Sequence, residues 1–492
     1  MTTSPDILER TFPAPPDSFE RLVRRRARRE RTRKIADGAL ALILVVLLVA
    51  ALAGALALRR QRTEPGNGAI TTANVGSLGP AWWSRPSGVG GTTQPILAGG
   101  HVYAIDGSER LRVYPVSCET PCEPTSTERI GPPTQWGWGA PVAAGDHVFV
   151  GTSNGTLLAY PISCGGDPSC APDWSAKLGD DMSSASPIVA DGVVYVASDA
   201  RGAGLIGAYP ETCVPVERTC GPLWTGRLPS GFLGSQPAVA DGVVFVGSKD
   251  GVLSAFSTTC ADDGGRCQPL WSATIGRGVS GGWSDTPAPI TAAGSTVFVP
   301  AASAMYAYRA RCTPVHGRCR PLWVAELDSW IDDTAVGSGS VFASTYDGAI
   351  SVLPQTCGRT CRPIASIEDG GDGSPSVSGD LLYVAGRDGL RVFNASCGRT
   401  AEPCSPLWSS QMSIGGFNNH TTVAGDLLLA SPVDGTVYAF TPGGSAPLPG
   451  VAAVTHRSSG WYGAFYGLLA LAVIVWVVRR RRRRDAAPSP QT

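Results

Sequence analysis

The chain has 492 residues, 16% of them charged and 43% hydrophobic, with 61 glycines, 40 prolines and a net charge of +0. This balance excludes a disordered chain and a coiled coil, and suits many short strands joined by tight turns. Charge is uneven: the first 34 residues hold 10 Lys and Arg, Arg479 to Arg484 add six, and Thr63 to Ser458 carries 21 basic against 33 acidic residues. An acidic middle argues against nucleic acid as its partner, because phosphate neutralisation needs a basic surface.

Residues 1–37 read as a basic cytoplasmic leader. Residues 38–58 follow without a charge, long enough at 1.5 Å per residue to cross roughly 30 Å of hydrocarbon. A transmembrane helix is expected there; a cleaved signal peptide, with Ala53-Gly54-Ala55 as its site, would have a shorter apolar run. A linker (59–69) leads to the exterior unit (70–441), and a second linker (442–460) leads to another apolar run, 461–478, which opens on aromatics and stops at arginines. Basic residues flank both runs on their outer sides, so the positive-inside rule puts the leader and the basic tail (479–492) in the cytoplasm and the residues between outside the membrane. The expected location is the bacterial cell membrane, crossed twice, with integral contact to lipid.

All 14 cysteines fall between the two runs, in close pairs: Cys118/Cys122, Cys164/Cys170, Cys213/Cys220, Cys260/Cys267, Cys312/Cys319, Cys357/Cys361 and Cys397/Cys404. An even number confined to the exterior points to structural disulfides that staple local turns in the outer hairpins. Zinc would need two further ligands for each pair, and the intervals lack paired histidines.

A phrase repeats eight times, starting at Pro95, Pro141, Pro187, Pro237, Pro289, Thr334, Pro375 and Thr421, with intervals of 41 to 52 residues. Each copy holds runs such as Val193-Val194-Tyr195-Val196, and copies carry Asp-Gly or Asn-Gly turns such as Asp250-Gly251, a cysteine pair, and Pro-Leu-Trp as at Pro269-Leu270-Trp271. Four antiparallel strands A to D per copy make a propeller blade, so the expected fold is all-β, an eight-bladed β-propeller with two transmembrane helices. The last copy lacks its cysteine pair and its fourth strand. Gly79-Pro80-Ala81-Trp82 matches Gly221-Pro222-Leu223-Trp224 and is expected to supply that strand, closing the ring.

From Ile70 to Phe440 these phrases resemble the pyrroloquinoline-quinone repeat. The resemblance implies the eight-bladed propeller of quinoprotein alcohol dehydrogenases and of the non-enzymatic outer-membrane assembly lipoprotein. Cysteine loops stand where that family has an Asp-x-x-Thr-Gly turn, and two copies lack the tryptophan, reading Cys361-Arg362-Pro363-Ile364 and Glu128-Arg129-Ile130. The family's dehydrogenases hold quinone and calcium near the axis and often carry a disulfide between adjacent cysteines. This chain has no Cys-Cys dipeptide, no CxxCH haem motif, five histidines, and no HExxH, GxSxG or phosphate loop. No catalytic, cofactor or metal residue is assigned and no cofactor is expected, although Asp180-Asp181, Asp332-Asp333 and Glu368-Asp369 leave weak calcium binding open.

Binding to a protein or cell-envelope partner is the expected activity. The strand order sends the C-to-D cysteine loops and both tethers to one face, expected toward the membrane, and the D-to-A loops to the opposite, outward face. Those loops hold Trp136, Trp138, Phe232, Trp283, Trp330, Phe417, Asn418, Asn419 and His420, either a partner surface or a plug for the central channel. The leader, with Thr11-Phe12-Pro13-Ala14-Pro15-Pro16 and Phe19-Glu20-Arg21-Leu22-Val23, resembles that of membrane proteins that include regulators of extracytoplasmic-function sigma factors. That implies a second possibility, a sensor making a cytoplasmic protein contact; the alternative is arginines that set topology and bind anionic lipid.

Overall fold

Short apolar runs punctuated by turn residues fold here into eight antiparallel sheets. The structure, a computed structural model, describes residues 69–448 except 88–90, 132–138, 167–169, 181–185, 215–217, 232–235, 261–264, 276–288, 316–317, 369–373, 387–388, 400–403, 411–420 and 433. Both apolar runs lie outside the described residues, among which no helix is long and apolar enough to cross a membrane. In chain order the blades span 96–129 (blade 1), 142–177 (blade 2), 188–227 (blade 3), 238–274 (blade 4), 291–326 (blade 5), 331–368 (blade 6), 374–409 (blade 7) and 422–442 (blade 8).

Blade 3 shows how sequence becomes strand. Strand A (Ile188–Ala190) turns through Asp191-Gly192, both at positive φ, into strand B (Val193–Ala200). Two positive φ values in a two-residue loop match the right-handed twist of the strands it joins. Residues Val194 to Ala197 are all buried, because neighbouring blades cover both faces of strand B. Strand C (Ala203–Pro210) pairs with strand D (Trp224–Arg227), whose burial alternates as expected of an outer strand with one covered face.

The core is a ring of layers between blades. One cluster joins Phe149 and Trp174 of blade 2 to Tyr195 and Trp224 of blade 3 and Phe256 of blade 4. Trp224 lies against Phe256 of the next blade, and Trp271 against Tyr308 of the next. The indole N–H of Trp271 donates to Ala310 O at 3.1 Å, and that of Trp323 to Gln355 O at 3.2 Å, so each indole is tied to the following blade.

The ring closes as the repeats predict. Strand Leu78–Trp83 is the fourth strand of blade 8, pairing with Tyr438–Pro442. Trp82 stands opposite Ala439 just as Trp224 stands opposite Ala208. It packs with Val437 and with Tyr114 of blade 1, and its indole donates to Val116 O at 2.8 Å. Closure removes the two exposed edges that an open array would present.

Candidate binding face

All seven cysteine pairs form disulfides, Cys118–Cys122, Cys164–Cys170, Cys213–Cys220, Cys260–Cys267, Cys312–Cys319, Cys357–Cys361 and Cys397–Cys404, and no described cysteine is free. The bridges staple local turns, each joining cysteines 4 to 7 residues apart, and their contacts add a second role. In four of them the amide of the second cysteine donates to the preceding blade's strand D: Cys122 to Trp83 O, Cys220 to Ser175 O, Cys319 to Ser272 O and Cys361 to Val324 O, at 2.7 to 3.0 Å. In blade 4 the contact lengthens into a short parallel ladder, Thr225 and Gly226 against Arg266 and Cys267. Arg311, beside Cys312, donates through Nε to Asp241 O in the A-to-B turn of blade 4. Five disulfides thus hold clasps between blades, at a sequence distance of about one repeat.

Cys170 and Cys404 depart from that pattern, although both lie in the C-to-D hairpins expected of them. Neither amide makes such a bond among the described residues, and the loops beside them, 167–169 and 400–403, lie outside those residues. Cys170 is buried with Cys164 in the cluster that joins Tyr103 and Val113 of blade 1 to Val148 and Tyr160 of blade 2. Cys404 is half-buried beside Cys397, against the cluster that joins Val352 and Ile367 of blade 6 to Leu382 and Phe393 of blade 7. At these two seams the disulfide contributes through apolar packing, because a half-cystine has no charge and fills space like a small hydrophobe.

The antiparallel order puts the clasps and the A-to-B turns on one face of the ring. Leu78 pairs with Pro442, so strand D of blade 8 begins and its strand C ends at this clasped face; residues 443–448 then turn back along strand D, the Ala446 N–H donating to Pro80 O and Pro447 O accepting the indole N–H of Trp83.

The opposite face is made of D-to-A loops and B-to-C turns. Its turns are capped by buried hydroxyls that the repeat phrase does not announce. Thr345 Oγ1 donates to Asp347 Oδ1 at 2.6 Å, and Ser248 Oγ to Asp250 Oδ1 at 2.6 Å. The visible signal is that Thr152, Ser248 and Thr345 each stand two residues before an Asn-Gly or Asp-Gly. Ions link neighbouring blades here: Lys249 Nζ lies 3.0 Å from Asp199 Oδ2, and Arg201 Nε 3.8 Å from Asp180 Oδ2.

Of the aromatic and polar residues expected on this face, Trp330 is described; Trp136, Trp138, Phe232, Trp283, Phe417, Asn418, Asn419 and His420 lie outside the described residues. Trp330 is 38% exposed, and its carbonyl accepts the N–H of Tyr346 in the adjoining turn at 3.0 Å. Its backbone is therefore fixed while its ring meets solvent.

Among the described residues the acidic pairs do not gather into a metal-binding group. Asp181 and Asp369 lie outside the described residues, Asp333 is buried with Oδ1 accepting the Thr334 N–H at 2.6 Å, and no group of three or more His, Cys, Asp or Glu comes together among the described residues. Buried Asp106 is held by Arg112 Nε at 2.7 Å and accepts the amides of Ser108 and Arg110, a turn cap in blade 1. Burial raises the phenols of Tyr195, Tyr209 and Tyr383 to about 12, which marks them as packing residues of strands B and C.

A family model described as outer membrane protein assembly factor BamB matches residues 119–212 and 206–446. No curated protein matches the chain. Among solved structures, BamB from Moraxella catarrhalis is 16% identical with a TM-score of 0.53, covering 74% of this chain and 99% of its own. Sqt1 from Chaetomium thermophilum, bound to the N-terminus of ribosomal protein L10, is 14% identical with a TM-score of 0.54 over the same shares. The computationally designed protein Ika8 is 13% identical with a TM-score of 0.55, again over 74% and 99%. At these identities the likeness is one of fold.

Proposed function

For a chain that belongs to the PQQ-repeat β-propeller family described as outer membrane protein assembly factor BamB, we propose non-catalytic recognition of a protein partner at the cell envelope. The observation that carries this reading is the asymmetry of the ring: the clasps and the N-terminal entry, Ile70 N–H donating to Gly425 O, lie on one face, and the exposed ring of Trp330 lies on the other. Aromatic residues fixed by their backbone and exposed by their rings are the usual anchors of protein interfaces. A propeller of the same fold bound to a peptide segment of another protein supports the reading by analogy.

The proposed location is outside the cytoplasmic membrane, between spans at 38–58 and 461–478, with both termini in the cytoplasm. Seven disulfides support an oxidising compartment for the propeller. The leader's resemblance to sigma-factor regulators adds a second, separable contact on the cytoplasmic side, which a pull-down with the full chain and with a leader-scrambled form distinguishes.

Photo-crosslinking tests the recognition role. A benzoylphenylalanine placed at Trp330 of the full chain in its own cells is expected to capture a discrete protein, and one placed at Leu322 on the clasped face is not. Capture from Leu322 alone would overturn the assignment of faces, and quinone-dependent dye reduction by the purified chain would overturn the non-catalytic reading.

A further inference from the structure

The clasped face is not uniform around the ring. In blades 5 and 6 the segments 309–322 and 355–364 hold Arg309, Arg311, Arg318, Arg320, Arg359 and Arg362 and no Asp or Glu. All six arginines are exposed. Arg311 is engaged with Asp241, and the other five form no ion pair among the described residues. The A-to-B turns of the same blades, Gly294-Ser295 and Ser338-Gly339, add no charge.

Aliphatic side chains stand among these cations. Val315 is 61% exposed, Ile364 43% and Leu322 40%. Leu322 and Ile364 sit at the entry to strand D, where their amides bond Ala307 O and Val352 O and fix them at the clasped rim.

Across the ring the polarity reverses. Blades 1 and 2 lie opposite blades 5 and 6 in an eight-membered ring, and the described residues of their segments 116–125 and 162–173 include Glu119, Glu123 and Asp173 and no basic residue. Glu123 is paired with Arg85 at 2.8 Å, and Asp173 with His147 at 3.1 Å. The face therefore has a cationic, partly apolar edge and an acidic one.

We propose that the cationic edge of blades 5 and 6 docks on the anionic lipid surface of the membrane that anchors the chain. The inference rests on the proposed two-span anchoring, because it is the chain ends that choose the occupant. The N-terminal end lies at this face, where the Ile70 N–H donates to Gly425 O in the A-to-B turn of blade 8, and 10 residues (59–68) separate it from the first apolar run; the C-terminal end, after 443–448 run back along strand 78–83, is separated from the second by 12 residues (449–460). Fully stretched, such linkers reach about 40 Å, so the bilayer is the surface that this face meets at high effective concentration. Guanidinium groups match lipid phosphates, and neighbouring aliphatics enter the headgroup region, which together make a shallow amphipathic contact. Since exposed charges act only within about 8 Å at physiological salt, attraction on one edge tilts the ring toward the lipid on that side.

The test is arginine modification by phenylglyoxal on the full chain, read by mass spectrometry, in phosphatidylcholine vesicles and in phosphatidylcholine–phosphatidylglycerol vesicles. Labelling of Arg320, Arg359 and Arg362 is expected to fall about fivefold in the anionic vesicles, the effect of roughly one arginine's attraction to such a surface. Arg201, in the B-to-C turn of blade 3 on the opposite face, is the internal control and should not change. High salt should abolish the protection. In a variant carrying Arg318→Glu, Arg320→Glu and Arg359→Glu, all at exposed positions, Arg362 should label alike in both vesicles. Equal labelling of the unmodified chain in both vesicles overturns the proposal, as does protection of Arg201 to the same degree. Protection that needs membrane proteins and is missing with pure anionic lipid assigns the edge to an acidic protein and overturns it too. Flotation with phosphatidylcholine vesicles reads the anchoring separately: a chain that floats without arginine protection keeps its anchors and loses the docking face, and one that fails to float loses the anchoring reading itself.

Discussion

Trp271 is buried against Phe245 of its own blade and Tyr308 of the next, opposite an alanine, Ala255. The same Trp–Ala pairing recurs at Trp174 and Ala159, Trp224 and Ala208, Trp323 and Ala307, and Trp82 and Ala439. Where the tryptophan is replaced, its partner is larger: Ser126 faces Val113, and Ala365 faces Val352. Trp408 faces Val392 and is only half-buried. Volume is thus traded between strands C and D, as expected of a close-packed interior. Trp271→Ala should lower stability in denaturant by about 3–5 kcal/mol, and Trp408→Ala by less, since the cost scales with the cavity left behind. Ala365→Trp should destabilise blade 6 on its own and be partly rescued by Val352→Ala; a double-mutant cycle with no coupling would contradict the volume argument. The buried phenols add a pH dependence. Their folded values of about 12 lie above the ordinary 10.0, so the stability they confer is intact below pH 10 and is lost as pH rises through 12. Phenolate absorbance of these tyrosines should rise together with loss of circular dichroism; a normal titration near pH 10 with the fold intact would contradict their burial.

Strands and turns were the legible elements, because their signals are local. Val193-Val194-Tyr195-Val196 announces strand B, and Gly155 and Gly251, both at positive φ, sit where Asn-Gly and Asp-Gly predict hairpins. Clasps between blades were not legible: the amide of Cys319 meets Ser272, a repeat away, and nothing in either segment marks the pairing. For the same reason the disulfides looked like local staples, and nothing in the spacing of Cys164 and Cys170 marks their burial between two blades. On the loop-entropy model a short ring such as Cys312–Cys319 contributes at most about 2 kcal/mol through the unfolded chain. The clasp adds a native-state role that this figure leaves out. Replacing Cys312 and Cys319 by serine should therefore speed hydrogen exchange at the Cys319 position and the blade 4–5 seam, while the amides of strand B in both blades stay slow. Uniform exchange across the molecule would show that the loop does not secure the seam.

At the scale of the whole molecule, eight blades make one ring with two unlike faces. The clasped face takes in the chain and carries opposed acidic and cationic edges; the other presents short turns, inter-blade ion pairs and Trp330. Trp330 was readable as a surface aromatic because it precedes a buried strand without belonging to its apolar run, whereas the remaining aromatic candidates of that face lie outside the described residues. The ring owes its closure to the strand borrowed from before the first repeat, since Leu78–Trp83 completes blade 8 and fixes where the chain enters it. Hydrogen exchange on the full chain, with residues 78–83 replaced by an equally long Gly-Ser segment, tests this closure most directly. Protection should collapse in strand Tyr438–Pro442 and at Cys122, whose partners are lost on both sides of the seam. Unchanged protection at those two places would contradict a ring sealed by its first strand.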